Sequence, residues 1–76
     1  MEFRQINTFI RVAQLKSFSK AAESLGYSQS AVTVQIQQLE EDLHVRLFDR
    51  MGKRVTLTVP GTQFLEHAYN VLTEVN

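Results

Sequence analysis

Residues 29–38, QSAVTVQIQQ, combine a helical apolar stripe with an uncharged polar face. At about 100° per residue, Val32 and Ile36 share one side of a helix, and Val34 lies among hydroxyl and amide groups on the other. Amides and hydroxyls can bond to base edges, and an apolar side chain can cover the methyl group of thymine. An ordinary solvated face is the alternative, but lysine and glutamate would be commoner there, and positions 24–39 carry no charge. The residues that we predict to read bases are Gln29, Ser30, Thr33, Val34 and Gln37.

A second group of side chains could hold a phosphate backbone. Arg50, Lys53 and Arg54 bracket a glycine-containing turn, and basic side chains on a projecting loop can enter a narrow minor groove or pair with phosphates. They could equally be the ordinary surface charges of a hairpin, but the helices that precede them favour the DNA role. Gln35 and Gln38, nearer the flanks of the helix, are further candidates for backbone contacts. The wing and backbone contacts that we predict are Ser28, Arg50, Lys53 and Arg54.

Three amphipathic helices must position these residues. Apolar side chains recur at helical spacing over residues 2–16, 18–25 and 29–43. The second and third helices are only three or four residues apart, which is typical of a helix-turn-helix over about residues 18–43. The expected cap residues are Ser17 or Ser19 before the second helix, Gly26 after it, Ser28 before the third and His44 after the third.

The apolar period changes beyond the third helix. Apolar and polar residues alternate around the sequence RMGK, which predicts a β-hairpin of residues 46–50 and 54–58 with its loop at 51–53. So small a hairpin is marginal alone and must pack on the helices. One of the acidic residues Glu40, Glu41 and Asp42, with Glu40 as the preferred candidate, is expected to hold Arg50 in place.

A final helix follows Pro60, which suits a first helical turn, with Thr58 as its cap. One apolar stripe of this helix can pack on its own domain, whereas the second needs another partner. Because the pattern is still running at Asn76, we expect the chain to be the N-terminal piece of a longer protein. The stripes are Phe64, Ala68, Val71 and Val75, and Leu65, Tyr69 and Leu72.

Composition and charge limit the remaining function classes. The chain has 76 residues and no cysteine, which indicates one domain without disulfides or thiolate metal sites. It has neither a transmembrane-length apolar run nor a signal peptide, so we expect a cytoplasmic protein without a membrane partner. The formal net charge of zero argues mildly against nucleic acid. However, the charges are separated along the chain. Residues 1–20 hold four basic residues and one acidic residue, whereas residues 21–42 hold four acidic residues and no basic one. One face of the protein could therefore still attract a polyanion.

Catalytic patterns are lacking. His44 and His67 have no metal-ligand spacing, and the serines lie in no glycine-flanked motif that would expose a nucleophile. No glycine loop could cradle a phosphate. An enzyme is therefore not expected, nor a cofactor or metal in this chain.

The segment SFSKAAESLGYSQSAVTVQIQQLEEDLHVRLFDR, followed by LTVPG, resembles the N-terminal winged helix-turn-helix domain of LysR-type transcriptional regulators. The resemblance covers essentially the whole chain. It implies a mainly α fold with a three-helix core, a recognition helix from Gln29 and a wing at residues 50–54 with Lys53 in the minor groove. The helix after Pro60 would be a linker helix that pairs two subunits. The implied dimerisation residues are Phe64, Leu65, Ala68, Tyr69, Leu72 and Val75.

The resemblance also implies a domain plan. Residues 1–58 would be the DNA-binding domain and residues 59–76 the start of the dimerising helix. The family's effector domain, which binds a small-molecule inducer, is absent from this chain, and full-length members commonly form tetramers. Two departures from the family are Val34 and Lys53, both where many relatives have arginine, and lysine cannot reproduce the planar fork of arginine.

The sequence thus predicts a homodimeric, sequence-specific binder of double-stranded DNA at an operator or promoter. The alternative is a winged-helix module that binds protein through the same helix and never touches DNA.

Overall fold

The computed structural model describes residues 1–50 and 54–75, with side chains of the last helix up to Leu72. These described residues form four helices and a two-stranded antiparallel sheet, which confirms the expected winged helix-turn-helix. The elements are α1 (Phe3–Leu15), α2 (Phe18–Leu25), α3 (Gln29–Leu43), β1 (Phe48–Asp49), β2 (Thr56–Leu57) and α4 (Val59–Val75).

The ends of α2 and α3 are fixed by local hydrogen bonds. Ser17, not Ser19, caps α2 through its hydroxyl, which accepts from the Lys20 N–H at 3.1 Å. Ser28 caps α3 in the same way, accepting from the Ala31 N–H at 3.1 Å. Gly26 and His44 end the two helices in the left-handed conformation, with φ of 76° and 57°. All four ends therefore follow from residues beside them in the chain.

An aromatic cluster joins the helices to the wing. The Phe9 ring centroid lies 5.2 Å from that of Phe48 in β1 and 5.3 Å from that of Phe64 in α4. The ring of Phe18, in α2, lies 5.7 Å from Phe48. Below the cluster, α3 buries the apolar stripe that the sequence predicts, which is Val32, Ile36 and Leu39. The opposite side of α3 consequently faces outward.

The wing strands are shorter than predicted. Only two residues pair on each side, Phe48 with Leu57 and Asp49 with Thr56. The Leu47 N–H instead donates to Glu40 Oε2 at 2.7 Å, and the Leu47 carbonyl accepts from the Thr58 N–H at 3.0 Å. Thr58 lies opposite Leu47 in the register of the strand pair, so its bond continues the ladder by one step. The Leu47 N–H is taken by Glu40 and cannot complete the reciprocal bond, and the strand pair ends there.

The expected pairing of Glu40 with Arg50 is wrong. Glu40 accepts from the backbone amides of Leu47 and Phe48, and its carboxylate lies 3.9 Å from Nε of Arg46. Arg50 instead lies over the ring of Phe18. The acidic side chain thus supports the backbone before β1 and leaves Arg50 to an aromatic surface.

The start of α4 is locked to the chain that precedes β1. The Thr58 hydroxyl accepts from the Gly61 N–H at 3.0 Å, which confirms Thr58 as a cap, and it donates to the Arg46 carbonyl. Helix α4 begins at Val59, one residue before Pro60. Nowhere in residues 1–50 and 54–75 does a helix have the length and apolar character needed to cross a membrane.

Candidate nucleic-acid interface

The outer face of α3 is uncharged and open to solvent at its N-terminal half. Gln29, Ser30 and Gln37 are exposed, whereas Thr33 is half-buried. Val34 is 48% exposed, so its methyl groups are open to contact from outside. The structure therefore brings the five predicted base readers onto one outward-facing surface.

One edge of α3 is held by polar side chains of α1. Gln5 Nε2 donates to Gln38 Oε1 at 3.1 Å, and Thr8 Oγ1 donates to Gln35 Oε1 at 2.6 Å. Gln5 and Thr8 are only 7% and 1% exposed. These two α1 residues were not expected from the sequence to influence the interface. They interrupt an apolar stripe, and that interruption is the signal that could have revealed them.

The wing contacts α2 beside the start of α3. The Arg50 guanidinium carbon lies 3.6 Å from the centroid of the Phe18 ring, at a distance suited to a cation–π contact. Arg50 and Arg54 are both exposed. Together with the residues at the starts of α2 and α3 they form a shallow cleft of about 200 Å³, lined by Ser17, Phe18, Ser19, Gln29, Arg50, Arg54 and Val55.

The electrostatics of this cleft favour an anion. Arg50 and Arg54 line the cleft together with the N-terminus of α2, where backbone N–H groups carry partial positive charge. Ser19 belongs to the cleft and was missed by the sequence reasoning, because helical periodicity gives no information about what faces the wing. Ser28 is exposed as well, and its hydroxyl serves as the α3 cap. Lys53 lies outside the described residues.

The six predicted dimerisation residues have different environments. Ala68 is fully buried, and Phe64 packs against Phe9 in the core of the same chain. Leu65 and Leu72 are partly buried against that core. Tyr69 is 41% exposed, and the Val75 side chain lies outside the described part of the chain. Ala68 therefore has no exposed surface in the single chain with which to contact a second subunit, because α4 turns it inward.

Comparison with known proteins gives a consistent family. A family model described as bacterial regulatory helix-turn-helix protein, lysR family, matches residues 3–62. The chain is 47% identical over 73 residues to an HTH-type transcriptional regulator in the ibpB–leuC intergenic region of Azotobacter vinelandii, covering 96% of this chain and 51% of that protein. It is 49% identical over 78 residues to the HTH-type transcriptional regulator ClcR of Pseudomonas putida, covering 100% of this chain and 26% of ClcR.

Solved structures with a similar fold are also found. The DNA-binding domain of CbnR, in a crystal structure with DNA, superposes with a TM-score of 0.94 at 43% identity, covering 99% of this chain and 86% of that one. The chain therefore spans between a quarter and a half of the curated relatives described above and nearly all of an isolated DNA-binding domain.

Proposed function

Because the chain belongs to the lysR family of bacterial regulatory helix-turn-helix proteins, we propose that it binds specific sites in double-stranded DNA and thereby regulates transcription. Helix α3 would lie in the major groove, and the wing would contact the minor groove and the phosphates on either side. The matched relatives are regulators of transcription, so the chain is not an enzyme domain.

The observation that carries this proposal is the uncharged, exposed N-terminal half of α3. In a helix-turn-helix, the first residues of the second helix meet the base edges. Gln29 and Gln37 offer amides that can pair bidentately with adenine, and Ser30 offers a hydroxyl that can donate or accept. Val34, half exposed among them, suits contact with a thymine methyl. This surface can therefore discriminate between bases without a net charge.

Attraction to the DNA backbone would come from the wing side. Arg50 and Arg54 line the cleft beside the start of α2, and a phosphate seated there would meet both guanidinium groups. The Phe18 ring supports Arg50 from behind, so less side-chain entropy is lost when Arg50 binds. Lys53, between these arginines in the sequence, would reach the minor groove.

The assembly and location of the protein are also part of the proposal. A homodimer would form through α4, with Tyr69 as an exposed apolar side chain on that helix and Val75 continuing the pattern toward its end. In the full-length protein we propose a tetramer, a small-molecule inducer that binds outside these 76 residues, and a cytoplasmic location.

A titration against duplex DNA at about 50 and about 200 mM salt tests the DNA role. Three basic wing residues per subunit bring six cationic side chains of a dimer to the DNA, and with about that many phosphates neutralised the affinity should fall about a thousandfold between these salt concentrations. The duplexes are first selected by binding from a random pool, and an unselected duplex is the control. Absence of binding to every duplex at low salt would favour the protein-interaction module instead.

A further inference from the structure

The two hydrogen bonds between α1 and α3 share one polarity. In each, a buried donor of α1 bonds to the amide oxygen of a glutamine on α3, from Thr8 to Gln35 and from Gln5 to Gln38. A glutamine amide has an oxygen that accepts and an NH₂ group that donates twice. When the oxygen is held against α1, the NH₂ group of the same planar amide must point away from the accepting side. Within residues 1–50 and 54–75, neither NH₂ group has a hydrogen-bond acceptor.

The two amides lie along the edge of the proposed reading face. At about 100° per residue, Gln38 is about 40° and Gln35 about 100° around the helix from Val34. If α3 lies in a major groove, side chains so displaced from its centre face the groove wall, where the phosphates are. Phosphate oxygens are acceptors only, so they match a row of free N–H donors.

We propose that Gln35 and Gln38 donate from their NH₂ groups to DNA phosphates, and that Thr8 and Gln5 are positioning residues that fix these amides with the donor side outward. The inference rests on the proposed DNA binding and adds a second, uncharged backbone contact on the side of α3 opposite to the basic wing. Helix α3 would then be held at both edges, by charge at the wing and by oriented amides along α1.

The buried Thr8 hydroxyl supports a positioning role. Its donation at 2.6 Å to Gln35 comes from a side chain with 1% exposure, so water does not compete for that bond. Without this hydrogen bond, the Gln35 amide could rotate and turn its oxygen toward a phosphate. The phosphate oxygens would then repel the amide oxygen. A purely structural contact would not require this polarity.

The test compares Gln35→Met and Gln38→Met with the wild-type chain on a duplex selected from a random pool. Methionine keeps the length and flexibility of the side chain but lacks the N–H donors. Because a dimer carries the substitution twice, each variant should bind about 25-fold more weakly, the effect of two ordinary hydrogen bonds, and by the same factor on unselected DNA. Because an amide releases no counterion, the salt dependence should not change. Gln63→Met, an exposed glutamine on α4, is the matched control and should bind like wild type.

Synthetic duplexes with single methylphosphonate linkages locate the contact. One linkage in each half-site should weaken wild-type binding yet cause no further loss in Gln35→Met, since the variant has already lost that bond. Thr8→Val should reproduce much of the Gln35→Met loss, and Thr8→Ser, which retains the hydroxyl, should restore binding.

The outcomes separate the two proposals. If the wild-type chain binds DNA but both methionine variants bind as tightly as it does, the amide contacts are refuted while the proposed function stands. A loss that depends on the base sequence would also overturn the inference, because it would make these glutamines base readers. If no duplex binds the wild type, the proposed function itself fails.

Discussion

Replacing Gly61 by alanine tests how closely the start of α4 is held against the chain before β1. A Cβ atom at position 61 would lie 2.1 Å from the carbonyl oxygen of Leu47 and 3.1 Å from Cδ2 of Leu57. The Leu57 side chain can turn aside, but the Leu47 carbonyl is backbone and already accepts from the Thr58 N–H. Ordinary van der Waals contact begins near 3.4 Å, so the added Cβ atom and the Leu47 oxygen would overlap. Rotation of a side chain cannot relieve a clash with a backbone atom, and therefore α4 or the Leu47 backbone must move.

The cost can be estimated from three contributions. Overpacking of this kind costs about 1–3 kcal/mol, and weakening of the bond from Thr58 to Leu47 adds about 1 kcal/mol. Alanine is the better helix former and returns up to about 1 kcal/mol. We therefore expect Gly61→Ala to lower the free energy of unfolding by about 2 kcal/mol.

Urea unfolding followed by circular dichroism, at one fixed protein concentration, measures this loss. Gly26→Ala is the control, because φ of +76° makes alanine unfavourable there although no atom lies within 4 Å of the added Cβ. Gly26→Asn should recover part of the stability, since asparagine tolerates the left-handed conformation, whereas Gly61→Asn should not. A Gly61→Ala chain as stable as the wild type would refute the argument that this contact fixes α4.

Three further predictions concern the interface and its support. Val34→Ala should reduce by about 1 kcal/mol the difference in binding free energy between a selected duplex and its variant at one base pair, with folding stability unchanged. Binding to the selected duplex and to its single-base variants measures this difference. Uniform weakening on all sequences would contradict a methyl contact. Lys53→Ala should weaken binding to all duplexes and reduce the salt slope by about one unit per subunit, or about two units for the dimer, and an unchanged slope would remove Lys53 from the contacts. Glu40→Ala should lower the free energy of unfolding, measured in urea, by about 1–3 kcal/mol, because the amides of Leu47 and Phe48 lose their acceptor. Glu40→Gln, which keeps an acceptor oxygen, should lose less. Equal stability of the alanine variant and the wild type would show that these amides need no side-chain acceptor.

The sequence alone determined the helices and most of their ends, and left Ser17 and Ser19 as alternatives for the cap of α2. Ser17, Gly26, Ser28 and His44 each act on backbone groups within a few residues, so local order in the chain is enough to specify them. The reading face of α3 was determined for the same reason, because on a single helix the side opposite to a buried stripe is fixed by the 3.6-residue period. Val34 was thus predictable as an outward-facing valine.

Only the tertiary structure decided how these elements meet. Periodicity gives two apolar stripes on α4 but does not show which of them lies inward. In the structure Phe64 packs against Phe9 at the edge of the core, and Ala68 is fully buried. Periodicity likewise could not show that Glu40 supports the Leu47 amide while Arg50 lies on Phe18. Contacts between residues distant in the chain depend on the angles and separations at which helices pack, and these are set jointly by all the side chains of the core. For the same reason, the orientation of the Gln35 and Gln38 amides became visible only once α1 was seen to lie against α3.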